Sequence, residues 1–572
     1  MVINSLKTGL LTSAAAVLAF ASSPAHAERG TDGELKLLLW QAPSTLNVYL
    51  STGVKEMLAS SLILEPLAIF APDGEIVPAL AQELPTVENG GISEDLTSIT
   101  WKLKEGVKWS DGSDLTAEDV KFTADYCMND EGGCAQAAKF EGVTSVEAVD
   151  PLTVKITFDS PRPYPYAAFV GAQAPIIQKA QFENCTGAKA ATCTEENFGP
   201  IGTGPFRATG FKTNDVVTLE ANPEYREADK PAFATVTLKG GGDSTSAARA
   251  VLETGEYDYA WNIQLAPDVL EGMLAAGKGK LEVDFGATVE HILLNQSDPS
   301  PSLPEGERAT LKHPHPILSD LKVRQALSMA IDRELLNEIG YGETGKATCN
   351  MVPNPEIYAS DNDDCLTQDI EGAKALLEEA GWTVGGDGIR EKDGVKLKLL
   401  FQTSVNAVRQ DFQALIKQWW SEIGVETELK TVDASVYFGS DPGSPDTIVK
   451  FYADVEMYTD VYDGTDPGSF LSERSCASIP SPENQWQGEN TVRYCDEEYE
   501  KLIKEMAQTS GIEARAELAK KMNLMITRDS MTHLPLIARG RVSVSSNRLG
   551  GVHMNAWDSE FWNVADWTRV EE

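Results

Sequence analysis

No single hydrophobic core can serve a chain of 572 residues. Cores stop growing near about 250–300 residues and longer chains divide, so the chain must form two or three lobes. Local patterns say what the lobes are made of. Residues 99–104 and 153–158 alternate apolar and polar side chains as half-buried strands do, and 35–40 also reads as a strand. Between 236 and 259 the pattern runs strand, helix, strand, an order that implies α/β construction.

Helix starts and stops are also legible. Thr116 followed by Asp119 forms a capping box ahead of Val120, Phe122 and Ala124. Val323, Leu327, Ala330, Ile331 and Leu335 mark one helix face. Further helices are predicted to end at Gly381 and Gly424, and a last one runs from about 512 to 527. Residues 297–316, rich in Pro, Ser and Glu, read as an exposed connection.

The first 27 residues carry Lys7, a short apolar run and the small-x-small pattern Ala25-His26-Ala27. That is the pattern of a cleavable export leader, with Glu28 as the first mature residue. Export to an oxidising compartment suits eight cysteines that fall in four close pairs. Short loops close most easily, which favours Cys127 with Cys134, Cys185 with Cys193, Cys349 with Cys365, and Cys476 with Cys495, although 105 connectivities are formally open. A net charge of -39 excludes non-specific binding to nucleic acid, which needs a basic patch. The acidity reads first as a solubility adaptation to salty surroundings, and second as a preference for cationic ligands.

Several segments, in order along nearly the whole mature chain, resemble one family. They include Pro78-Ala79-Leu80-Ala81, "WKLKEGVKWSDGSDLTAEDV" at 101–120, "GTGPF" at 202–206, "NPEY" at 222–225, "VRQALSMAIDRE" at 323–334, "AKALLEEAGW" at 373–382 and "DGTDPGSFL" at 463–471. Together they are similar to the family 5 extracellular solute-binding proteins, the oligopeptide-, dipeptide- and nickel-binding periplasmic proteins of ABC importers. The resemblance implies an α/β, type II-like periplasmic binding protein of the large three-lobe (cluster C-like) architecture, with a hinge-bending cleft. Lobe I would comprise 28–70, 200–290 and 529–572, lobe II would be inserted at 71–199, and lobe III would span 291–528. The implied partners are a small ligand, foremost a peptide, and an inner-membrane ABC permease. The implied protein is a periplasmic monomer that needs no cofactor and is not an enzyme. An oligosaccharide, an opine-like conjugate or a metal chelate remain alternative ligands.

The resemblance also nominates contacts. Peptide binders of the family hold the ligand's amino terminus with the first Asp of D-x-x-D-P, here Asp463. Dipeptide binders use an arginine for the ligand carboxylate; Thr403 stands at that place, with Arg409 further on. From the residues themselves, Gln402, Thr403, Ser404 and Asn406 form a polar loop before a helix, where Ser404 or Asn406 could equally cap that helix. Trp40, the following Thr45-Leu46-Asn47 loop and Trp486 flank predicted loops and are candidates for stacking or hydrogen bonding. Trp419 fits a core face instead. A secreted hydrolase is the rival from another class, but the chain has no H-E-x-x-H, no G-x-S-x-G and no phosphate loop.

Overall fold

The computed structural model describes residues 29–304, 306–439, 441–462 and 464–570. The leader at 1–27, its cleavage point at Glu28, and Asp463 lie outside the described residues.

Two mixed sheets organise the chain. The first has seven strands, in spatial order Gly279–Asp284, Arg541–Ser546, Tyr259–Ala260, Glu34–Leu39, Thr235–Gly240, Val216–Ala221 and Phe206–Lys212. The second has six, in order Gly345–Ala347, His533–Arg539, Val289–Leu294, Val455–Asp460, Lys398–Ser404 and Glu426–Val432. Leu37 and Leu38 of the first sheet pair in parallel with Tyr259 and Ala260, the result of the predicted strand–helix–strand unit, whose helix is Ser244–Leu252. Parallel neighbours require such a crossover.

The chain passes between the sheets twice. It leaves the first at Asp284 and enters the second at Val289, then leaves the second at Arg539 and re-enters the first at Arg541. The return therefore lies at Gly540, later than the 528/529 boundary expected from the resemblance, because His533–Arg539 still pairs with Val289–Leu294. The crossings touch, the Arg539 amide donating to the Thr288 carbonyl at 3.0 Å.

The inserted segment builds a three-stranded antiparallel sheet, ordered Ser98–Lys102, Thr153–Phe158, Val143–Asp150. The helix Ala117–Cys127 packs on it and starts at the predicted capping box, the Asp119 carboxylate accepting the Thr116 amide at 2.9 Å. Trp101, Trp109 and Ile156 of this segment share one apolar cluster with Leu35, Leu37 and Leu238 of the first sheet. Lobes I and II are thus welded through a common core.

Two local expectations are corrected. The helix predicted across 323–335 is two, Leu321–Met329 and Arg333–Gly340, because the Asp332 carboxylate accepts the Leu335 amide and starts a new helix. The 297–316 connection is not uniformly exposed. His315 is buried, its Nδ1 accepting the Ile317 and Leu318 amides and its Nε2 lying 2.8 Å from Asp454.

All eight cysteines pair as the short-loop argument favours. The Cys476–Cys495 bridge joins residues 19 apart, and a loop of that size restrains the unfolded chain by about 3 kcal/mol. The Cys476→Ser/Cys495→Ser double variant should lose about that much in chemical denaturation; a loss below about 1 kcal/mol would mean that packing alone holds the loop. Among the described residues no helix is long and apolar enough to cross a membrane.

Candidate ligand-binding cleft

Between the welded body and the second sheet lies a cleft of about 960 Å³, part of it open to solvent. Its base is the pair of crossings, which contribute Thr288, Arg539 and Arg541. Gln41, Trp261, Asn262 and Glu560 come from the first body, Gln173 from the inserted segment. Across from them stand Arg409, Phe438, Tyr458, Asp460, Glu473 and Glu489. A cavity between two bodies joined at a double crossing has the geometry that hinge-closing binding sites use.

Charges divide the cleft into unlike regions. Arg409 is largely engaged: its Nε donates to Glu290 Oε1 at 2.7 Å, Nη2 to Glu290 Oε2 at 3.2 Å and to Thr459 Oγ1 at 3.0 Å, and Nη1 to Ser404 Oγ at 2.9 Å. Tyr341 OH and Thr459 Oγ1 also donate to Glu290. Burial pushes the Glu290 carboxyl up, but the Arg409 guanidinium overrides it and holds the pKa below its ordinary value. This pair is neutral and hydrogen-bonded, and offers a ligand little net charge.

An acidic pole sits elsewhere on the same wall. Arg474 donates to Asp460 and to Glu473, the latter at 2.8 Å. One guanidinium therefore serves two carboxylates, and the Glu489 side-chain carboxylate beside them has no hydrogen-bond or ion-pair partner among the described residues. Burial pushes Glu473 up to about 7, Arg474 opposing and Asp460 adding to the rise. Glu489 is raised well above the usual carboxylate range by burial, then by Glu473 and Asp460. Crowded carboxylates of this kind favour an entering cation.

These shifts have a thermodynamic sign. A carboxyl whose folded pKa is raised stabilises the fold below its unfolded value, here 4.5. That stabilisation is lost as pH climbs through the folded value of about 7. The ligand-free protein should therefore lose thermal stability across that window, and Glu473→Gln should flatten the slope in calorimetric scans. A variant with the parent's slope would show that the pole does not titrate there.

The structure distributes the sequence-nominated residues widely. Arg409 lines the cleft, with Ser404 behind it on the guanidinium. Asn406 caps the helix Ala407–Glu422 by accepting the Arg409 amide at 3.0 Å, and its Nδ2 reaches Gln264 of the opposite body. Gln402 donates to the buried Glu456 at 3.1 Å and Thr403 to the Met457 carbonyl at 2.6 Å, both inside the sheet. Trp40 is buried against Ala248 and Val251, its indole donating to the Asn262 carbonyl at 2.9 Å. Leu46 is core, while Thr45 and Asn47 tie the first body to Asn197 at 3.3 and 2.9 Å. Trp486 packs edge-on against Tyr452 at 5.9 Å, under Lys450. It rides on the Cys476–Cys495 loop, which reaches the inserted segment where Gln485 Nε2 donates to the Glu131 carbonyl at 3.0 Å.

Asp460, Glu473, Glu489, Thr288 and Arg541 escaped sequence reasoning. Only Asp460 had a usable signal, a carboxylate closing the buried strand Val455–Asp460.

Comparison with known proteins gives this geometry a lineage. The oligopeptide-binding protein AppA of Bacillus subtilis (strain 168) is 28% identical over 366 residues, 62% of this chain and 61% of that protein. The glutathione-binding protein GsiB of Salmonella typhimurium is 24% identical over 477 residues, 83% of this chain and 82% of that protein. Among solved structures, AppA from Bacillus subtilis in complex with a nonapeptide superposes with a TM-score of 0.80 at 22% identity, covering 95% of this chain and all of that one (100%). NikZ from Campylobacter jejuni in complex with Ni(L-His) gives 0.76 at 23% identity, covering 94% and 100%. At such identities the superpositions speak for the fold, which is that of these α/β binding proteins. Residues 75–476 match the middle region of the bacterial extracellular solute-binding proteins, family 5, and the chain belongs to that family.

Proposed function

We propose that this protein is the exported, periplasmic ligand-capturing component of an ABC importer, that its ligand is a peptide, and that it works as a monomer without catalysing a reaction. The acidic pole at Asp460, Glu473 and Glu489 carries the peptide reading, because Arg474 pairs with Asp460 and Glu473 and leaves the Glu489 carboxylate without an ion pair, which a peptide's amino terminus would supply. The names of AppA and GsiB, peptide and glutathione binders, point the same way. Ligand groups that touch both bodies stabilise the closed state relative to the open one, the only route by which a ligand shifts that equilibrium. A membrane permease then distinguishes closed from open.

A thermal-shift panel of short peptides, oligosaccharides, opines and nickel–histidine chelates tests the reading. A ligand at about 100 times its dissociation constant adds roughly 2.7 kcal/mol of stability. Peptides should stabilise the protein, and more strongly as pH rises through about 7, where Glu473 ionises. Stabilisation by sugars or chelates alone would overturn the peptide assignment and keep the transport role.

A further inference from the structure

We infer that the hinge itself holds a subsite for a ligand carboxylate, formed by Arg541 Nη2 and Thr288 Oγ1; this rests on the peptide reading and specifies the ligand's other end. Arg541 is 7% exposed and Thr288 3% exposed, and both line the cleft. Arg541 Nη2 and Thr288 Oγ1 are nevertheless buried polar atoms without a hydrogen-bond partner. Buried polar groups are nearly always satisfied, and an exception asks for an explanation.

The Arg541 guanidinium is held in place from behind. Its Nη1 donates to the carbonyls of Asn555, at 3.1 Å, and Asp558. Among the described residues no carboxylate lies within ion-pair distance of it. Of the Glu560 carboxylate, which also lines the cleft, Oε2 accepts from the Tyr259 and Ser543 hydroxyls, at 2.5 and 2.6 Å. A fixed guanidinium with a spare N–H edge is suited to a carboxylate, whose charge-assisted bonds are stronger than neutral ones.

The position adds a consequence. Arg541 opens a strand of the first sheet, and Thr288 immediately precedes a strand of the second. A carboxylate bonded to both would span the two crossings at the pivot. With an ammonium at the Asp460–Glu489 pole and a carboxylate at the hinge, the ligand is zwitterionic, a peptide short enough for both termini to lie in one cleft. Arg409 is no rival for that carboxylate, since Glu290 already occupies it.

The test uses two randomised tripeptide libraries, one with free C-terminal carboxylates and one C-terminally amidated, read by thermal shift and titration calorimetry on the parent, Arg541→Gln and Thr288→Val. The parent should bind the free-acid library at least tenfold more tightly than the amides, and Arg541→Gln should bind both alike. Equal binding of both libraries by the parent overturns the hinge subsite and leaves the peptide reading standing. Stabilisation by neither library overturns the peptide reading, and the subsite with it. If Arg541→Gln fails to fold, Thr288→Val decides: a reduced free-acid preference supports the subsite, and an undiminished one overturns it.

Discussion

Replacing Arg409 with methionine is expected to remove about 3–5 kcal/mol of stability, a large share of what a domain possesses. The loss follows from what stays behind. Glu290 is fully buried, and without Arg409 its carboxylate keeps hydrogen bonds only from the Tyr341 and Thr459 hydroxyls, with the Arg539 charge acting on it but not bonded to it. An unpaired buried charge is far more costly than an absent pair. The destabilisation should shrink in acid, where Glu290 escapes by taking a proton, its pKa no longer held down by Arg409. The Glu290→Gln/Arg409→Met double variant should recover a good part of the loss. Denaturant midpoints at two pH values check this. An Arg409→Met protein within about 1 kcal/mol of the parent would mean that the pair is not the closed electrostatic unit described.

The second large effect separates binding from folding. Glu489→Gln should make the ligand-free protein more stable at pH values where Glu489 is ionised, because it removes a carboxylate whose charge is disfavoured by burial and repelled by Glu473 and Asp460. The same change should weaken peptide binding by about 2 kcal/mol, roughly thirtyfold, since one anionic partner of the ammonium is gone. A residue of purely structural importance cannot move the two readouts in opposite directions. Parallel losses of stability and affinity would remove Glu489 from the ligand's surroundings.

What the sequence disclosed was local, and what it concealed was assembled across the chain. The strand predicted at 153–158 is Thr153–Phe158, because alternation is fixed by the pleat and one face of this sheet meets the core. The capping box at Thr116 and the stop at Gly424, with φ of 85°, follow from groups within one helical turn. The cysteine pairs follow from loop closure. Asp332 shows the limit: the apolar stripe runs on through it, while its carboxylate starts a second helix. The site is less legible still. Arg409 was visible as a charge near a polar loop, but its partner Glu290 lies on the strand Val289–Leu294, far away in sequence. The acidic pole joins the end of one strand to Glu473 and to a residue on a disulfide-closed loop, and no spacing rule connects them. Trp40, Thr45 and Asn47 show the same limit: aromatic and polar residues near a turn serve cores and clefts alike, and here their hydrogen bonds go to Asn262 and Asn197.

An ammonium entering the Asp460–Glu473–Glu489 pole is what a peptide ligand must supply, and calorimetric titration of the protein with a tripeptide library, free or N-acetylated, measures that most directly. The prediction is tight binding of the free-amine library with release of protons to the buffer near neutral pH, and a loss of at least thirtyfold in affinity on acetylation. Equal affinity for the two libraries, or binding without proton release, would contradict it.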